Sequence, residues 1–213
     1  MSSYHPWRER VRAYLGEHLG YLALVALLFV MGIVFGAMTV NNLPAGERQN
    51  LLNYLRAFLH SLGPTVDLRG AGLAREAIWT NTKTIALLFL LGLSAIGTPF
   101  ILLVVFTRGF VLGFTVGFLV KQLMLKGFFF ALVAVVPQNL LFIPALLAAA
   151  AANLDLGVVL IRSRFLGRTI YFPQKLLCCL GITGAAVFIL FLAGLIEGYV
   201  SPILIGWMAR YLS

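Results

Sequence analysis

Thr84–Thr107, reading TIALLFLLGLSAIGTPFILLVVFT, runs for 24 residues without a charged side chain. As a helix it is about 36 Å long, enough to cross a hydrocarbon core of about 30 Å. Outward from it the same character recurs at Tyr21–Val40, Gly127–Leu154 and Leu176–Ile196. Of the 213 residues, 61% are hydrophobic and 11% charged. A soluble domain of this size needs charge over its whole surface, and here charge is too scarce and too clustered. The chain therefore reads as an all-α, polytopic helical integral membrane protein, a single membrane domain over residues 1–213. Gly97-Thr98-Pro99 predicts a kink inside the opening stretch, and Arg108 marks its end. Gly109–Leu125 is a further span if Lys121 snorkels to the far interface; a re-entrant hairpin is the alternative. About five transmembrane helices result.

The polar remainder sets the topology. Residues 1–19 carry Arg8, Arg10 and Arg12 against Glu9 and Glu17. The apolar run that follows exceeds a signal-peptide core and ends in no small-x-small cleavage pattern, so it is expected to be a retained first span. Residues 41–83 form the one sizeable polar region. Within it Leu51, Leu55, Phe58 and Leu62 recur at helical spacing, widened by Leu52 and Leu59, and Gly63-Pro64 ends the run. An amphipathic helix on the membrane is the expectation, with a soluble helix packed on a neighbour as the alternative. A second short helix from Arg69 to Lys83 leads into the bilayer. Residues 155–175 form a basic loop with Arg162, Arg164, Arg168 and Lys175 against Asp155. Short basic segments beside spans favour the cytoplasm. That places 1–19 and 155–175 inside, and the amphipathic segment 41–83 on the extracytoplasmic side.

The formal net charge of +9 does not point to nucleic acid, because the basic residues sit at span ends and form no stripe with interleaved aromatics. Contact with the lipid bilayer and its anionic head groups accounts for them. Cys178 and Cys179 are neighbours in an apolar run and point in different directions, so they are read as small apolar residues rather than a disulfide. His5, His18 and His60 have no metal-ligand spacing, and no cofactor motif is present. No Asp or Glu falls in the middle of an expected span, and Ser94 has no His or Lys partner. Neither a proton relay nor an intramembrane protease is expected, and the chain reads as a non-enzyme.

Two features remain for packing or partner contact. Gly109, Gly113 and Gly117 line one helix face, and Gly32/Gly36, Gly16/Gly20 and Gly194/Gly198 repeat the four-residue step. Small residues at that spacing allow close helix approach in lipid, with internal packing favoured over dimerisation. The second is Pro137-Gln138-Asn139 followed by Pro144. Two prolines remove backbone donors, and two amides are costly in hydrocarbon unless bonded. A broken helix whose amides satisfy the freed carbonyls is the first reading; a binding surface for a membrane partner or a solute is the second. A small permease or channel would exploit such a break, although no matched repeat accompanies it.

Several ordered motifs carry a resemblance. Met31-Gly32-Ile33-Val34-Phe35-Gly36 with Val40-Asn41, then Asn81 and Gly97-Thr98-Pro99, precede Arg108-Gly109-Phe110. Gly113-Phe114-Thr115-Val116-Gly117-Phe118, Lys126-Gly127 and Pro137-Gln138-Asn139 follow. In this order and spacing the chain resembles the stage II sporulation protein M family, nearly end to end. The resemblance implies a multi-span protein of the engulfing membrane in endospore-forming bacteria. It implies a complex with the sporulation proteins D and P, which degrade peptidoglycan, and a role as their non-catalytic anchor. Partner helices are expected to use the glycine face and the broken segment around Gln138.

Overall fold

A computed structural model describes residues 6–61, 70–166 and 176–194, and every regular element among them is helical. Helix α1 is Pro6–Thr39, extended by a 3₁₀ turn at Val40–Asn42. Helix α2 is Ala45–Ser61 and α3 is Gly70–Gly92. A 3₁₀ turn at Ala95–Gly97 leads into α4, Thr98–Leu166. Helix α5 covers Leu176–Gly194. Among the described residues, four segments are long and apolar enough to cross a membrane: Leu19–Asn42, Thr98–Gln122, Asn139–Ser163 and Leu176–Gly194. A shorter apolar helix, Ile78–Gly92, accompanies them.

The span boundaries differ from the sequence expectation in one consistent way. Thr84–Thr107 is not one kinked helix. It turns at residues 93–97, where the Ser94 N–H donates to the Leu91 carbonyl and the Gly97 N–H donates to the Ser94 carbonyl. A Cβ on Gly97 would fall on the Leu91 carbonyl oxygen, so the turn needs glycine. Thr98-Pro99 then opens α4, with proline in the first helical turn where its missing N–H costs nothing. Ser94 accordingly lies at the turn and not inside a span. Arg108 is no boundary: it sits about 15 Å along α4 from Thr98, half-buried within the Thr98–Gln122 span. Gly109–Gln122 belongs to that same 25-residue crossing, so a half-spanning hairpin is not what forms.

The break in α4 falls at Met124, with φ 54 and ψ −132, the one non-glycine residue of positive φ among those described. A side chain there costs on the order of 1–3 kcal/mol. The fold accepts it because two arms, residues 98–123 and 125–166, must reverse direction there. Thr98 lies beside Gly157 and Arg108 lies over Phe142, so the arms run antiparallel. Pro137 and Pro144 do not break the second arm, whose backbone is helical throughout. Each removes one hydrogen bond, and packing in a bundle tolerates that. Asp155, expected in a loop, is helical and 7% exposed. Only residues 167–175 of that loop remain between helices, and they lie outside the described set, as do Gly63-Pro64 and residues 195–213.

The second arm of α4 is the centre of the bundle. Its span is 67% buried, against 22–28% for the other three. Leu146, Ala149, Ala150 and Leu154 pack on Val25 and Phe29 of α1, Ile85 and Leu88 of α3, Ile101 and Val105 of the first arm, and Ala186 and Leu190 of α5. The run of alanines lets four neighbours approach one helix. Outward, Leu27, Met38, Leu90, Leu103 and Phe188 are more than half exposed. That is the distribution expected when the solvent is lipid. Exposed Thr39, Thr107 and Thr115 hide their hydroxyls by donating to carbonyls one turn back at 2.8 Å.

The first arm and α1 run parallel and touch through backbone. A Cβ on Gly109 would fall on the Phe29 carbonyl oxygen, and one on Gly113 on that of Ile33; Gly117 faces Ala37. From the other side Gly32 meets Phe106 and Phe110, and Gly36 meets Phe110 and Phe114. The pairs keep one register, and Lys121 continues it to Asn41, 80 residues away in sequence. Direction then alternates: α1 and the first arm run one way, while α3 and the second arm run the other. Helix α5 antiparallels α3, with Gly194 at Ile78 and Cys179 near Phe89. Helix α2 follows α1 at the Met124 end, with Arg48, Leu51, Leu52 and Leu55 half-buried and Asn50, Asn53 and Tyr54 exposed. Gly113→Ala should cost about 1–3 kcal/mol, the range of an overpacked core, in reversible unfolding from mixed micelles. Gly181→Ala, where an added Cβ meets nothing within 4 Å, should be neutral.

Candidate functional site

Among the described residues, three groups of polar side chains inside the bundle bear on its function. The first is at the Met124 end, where Lys121 Nζ donates to the Val40 carbonyl at 3.2 Å and to Asn41 Oδ1 at 3.0 Å. A cation against the last carbonyls of α1 complements the helix dipole. The second lies near mid-depth. The Arg108 guanidinium donates to Thr84 Oγ1, and Thr84 Oγ1 donates to the Thr80 carbonyl at 3.0 Å. Arg108 Cζ stands 5.6 Å from the Phe142 ring centroid. The ring face stabilises a cation that hydrocarbon would otherwise penalise. Next to this group on α3, Lys83 turns back over the exposed Trp79 ring at 4.7 Å, a snorkelling geometry.

The third group ties the turn at residues 93–97 to the core. Asn153 is fully buried and donates to the Ala149 carbonyl at 2.7 Å and to Thr183 Oγ1 at 3.4 Å. Its Oδ1 accepts from Cys179 Sγ at 3.2 Å. Gly92 lies against it so closely that a Cβ would sit 2.8 Å from Asn153 Oδ1. One amide therefore joins the second arm, α5 and the C-terminal end of α3. Cys179 is buried and acts as a weak donor within this group, and Cys178 is half-buried beside it.

The residues singled out from sequence fall in two places. Gly109, Gly113 and Gly117 lie together on the α1 seam. Pro137, Gln138 and Asn139 lie in the second arm between Phe142 and the Met124 break, and Pro144 is exposed. Asn139 Nδ2 donates to the Val135 carbonyl at 2.7 Å. That carbonyl is one turn back from Asn139 itself, and not one that a proline leaves without its donor. The side chains of Pro137 and Gln138 are outside the described set. Among the described residues no three of His, Cys, Asp and Glu converge as a metal site.

Thr84, Asn153 and Thr183 do not stand out in the sequence, and Arg108 stands out there only as a span boundary and within the Arg108-Gly109-Phe110 motif. The signal for Arg108 was Thr98-Pro99, which as a helix start would have moved the boundary ten residues forward. Asn153 offered less: it follows an alanine run, where it reads equally well as the end of a span.

The family model described as Stage II sporulation protein M matches residues 25–202. The chain belongs to the stage II sporulation protein M family. No curated protein and no solved structure matched. The matched range begins within α1 and includes the seam, the mid-depth Arg108 group and the Asn153 group. This member of the sporulation protein M family is thus a multi-span membrane protein whose internal polar groups are met largely by its own helices.

The Arg108–Thr84 pair gives a double-mutant test. Thr84→Val removes a described acceptor of the guanidinium and should destabilise the bundle by about 1–3 kcal/mol, the cost of an unmet buried polar group. Thr84→Val with Arg108→Leu should recover most of that, because replacing both partners by apolar groups is close to neutral. Additive losses in micelle unfolding would show that the two side chains are not coupled.

Proposed function

We propose that this chain is a non-catalytic membrane anchor that assembles peptidoglycan-degrading sporulation proteins at the septal and engulfing membrane during endospore formation. The observation that carries the reading is family membership over residues 25–202. The proposed partners are the sporulation proteins D and P. The physical character of the bundle is compatible with that work. Its internal polar groups tie its own helices together, and its outer faces are broad and apolar. In lipid such faces receive a partner helix through packing rather than through hydrophobic exclusion.

The proposed orientation puts the start of α1 and the α4–α5 connection in the cytoplasm. Arg8, Arg10, Arg12, Arg162, Arg164, Arg168 and Lys175 then lie in or beside cytoplasmic segments, as the positive-inside rule favours. Helix α2, at the Met124 end, would lie outside the cytoplasm, on the side where peptidoglycan is degraded. An anchor with this orientation can hold hydrolases against their substrate while its own helices stay in the bilayer.

Affinity purification of the full chain from sporulating cells should recover proteins D and P, and a fluorescent fusion should gather at the asymmetric septum and follow the engulfing membrane. Purification without any wall hydrolase, together with uniform fluorescence in vegetative membranes, would overturn the proposal.

A further inference from the structure

Where the glycine seam reaches the Met124 end it leaves a groove. Beside the seam, the flank between α1 and the first arm of α4 opens into a cavity of about 290 Å³. Its walls include Ile33, Ala37, Gly113, Val116 and Val120, and its mouth is formed by Asn41 and Lys121. The polar groups are all at one end. Lys121 is next to the last residue of the Thr98–Gln122 span, at the level of the interface. Gly113 lies two turns deeper, about 12 Å along the helix.

An ammonium has three donors. Two of those on Lys121 reach the Val40 carbonyl and Asn41 Oδ1. Both acceptors lie on α1, which fixes the cation at the mouth of the groove. The Asn41 side chain, with its oxygen already engaged, keeps its NH₂ as a second donor there. The site is therefore amphipathic in a set direction: donors and positive charge at the interface, and a smooth apolar channel running inward with no polar wall.

The geometry points to a binding site for one anionic phospholipid, its phosphate at Lys121 and Asn41 and an acyl chain along the groove. Charge complementarity selects this occupant. A lipid carries its negative charge at the interface and only uncharged esters and hydrocarbon below it, as the site requires. A transmembrane helix of a partner would place ordinary side chains in the channel and has no reason to bring a negative charge to its mouth. The inference does not depend on the scaffold reading, and it concerns a ligand present in every bacterial membrane.

The test uses the full chain in phosphatidylcholine vesicles, with a trace of spin-labelled phosphatidylglycerol or, in parallel, spin-labelled phosphatidylcholine. The motionally restricted fraction should favour phosphatidylglycerol about five-fold, the preference that one suitably placed lysine gives. Lys121→Gln should lower the preference, and Lys121→Arg should keep it. Val116→Phe fills the channel while leaving the charge in place, and should reduce the restricted fraction of both lipids. Three results would overturn the proposal: equal restriction of the two lipids by the unaltered chain, a preference unchanged by Lys121→Gln, or a restricted fraction unchanged by Val116→Phe. The last would make Lys121 a general surface charge, with the groove left to some other occupant.

Discussion

The bundle depends on the close approach of α1 to the first arm of α4. Lipid tails are as apolar as leucine, so no hydrophobic drive brings two helices together once they are inserted. What remains is dispersion and short-range polar contact, both of which need backbones to come near. Gly32 and Gly36 on one helix and Gly109, Gly113 and Gly117 on the other remove the side chains that would hold them apart. Lys121 then closes the end of the seam by bonding the last carbonyl of α1. The register set there positions the rest. With α1 locked against the first arm, the reversal at Met124 brings the second arm back to pack on both, and its alanine run accepts α3 and α5 as well.

Charge inside the bilayer follows from that arrangement. Arg108 is tolerable near mid-depth because α3 supplies Thr84 and the second arm supplies the Phe142 ring. Asn153 is tolerable because three helices converge on it and occupy its oxygen and its amide hydrogens. These groups act as fasteners between helices that would otherwise slide on apolar faces. A protein that must hold hydrolases in place at a moving membrane gains from fasteners of this kind, whereas a transporter needs helices free to separate. Within the proposed function, that rigidity is the physical contribution of the chain.

Much of the fold was legible in the sequence, and what was not has a definite cause. Length and apolar character identified the membrane class, and Leu176–Ile196 and Tyr21–Val40 fell close to helices α5 and α1. The four-residue glycine steps at Gly32/Gly36 and Gly109/Gly113/Gly117 were visible as faces, but not that they meet each other. Nothing in a single sequence records which helix lies opposite which. The expected end at Leu125 falls one residue from the Met124 break, but the ends at Arg108 and Asp155 are displaced, because charge does not mark a span's end there. Arg108 and Asp155 are charged and yet lie within membrane-crossing helices, while the turn at Ser94–Gly97 is uncharged. The amphipathic helix in 41–83 was read correctly as a helix, since its stripe of Leu51, Leu52 and Leu55 depends only on local periodicity. Prolines 137 and 144 misled in the opposite direction: they signal a break that packing in the bundle overrides.

The central claim is the register of α1 on α4, and a disulfide reads it most directly. A Cβ built on Gly117 lies 3.4 Å from the Ala37 Cβ, close to the separation of about 3.5–4.5 Å that a disulfide spans. With Cys178 and Cys179 replaced by alanine, Ala37→Cys with Gly117→Cys should form an intramolecular disulfide in native membranes under mild oxidation. Ala37→Cys with Gly113→Cys, one turn out of register, should stay reduced. Cross-linking that favours the shifted pair, or that joins two chains instead of closing one, would contradict the account.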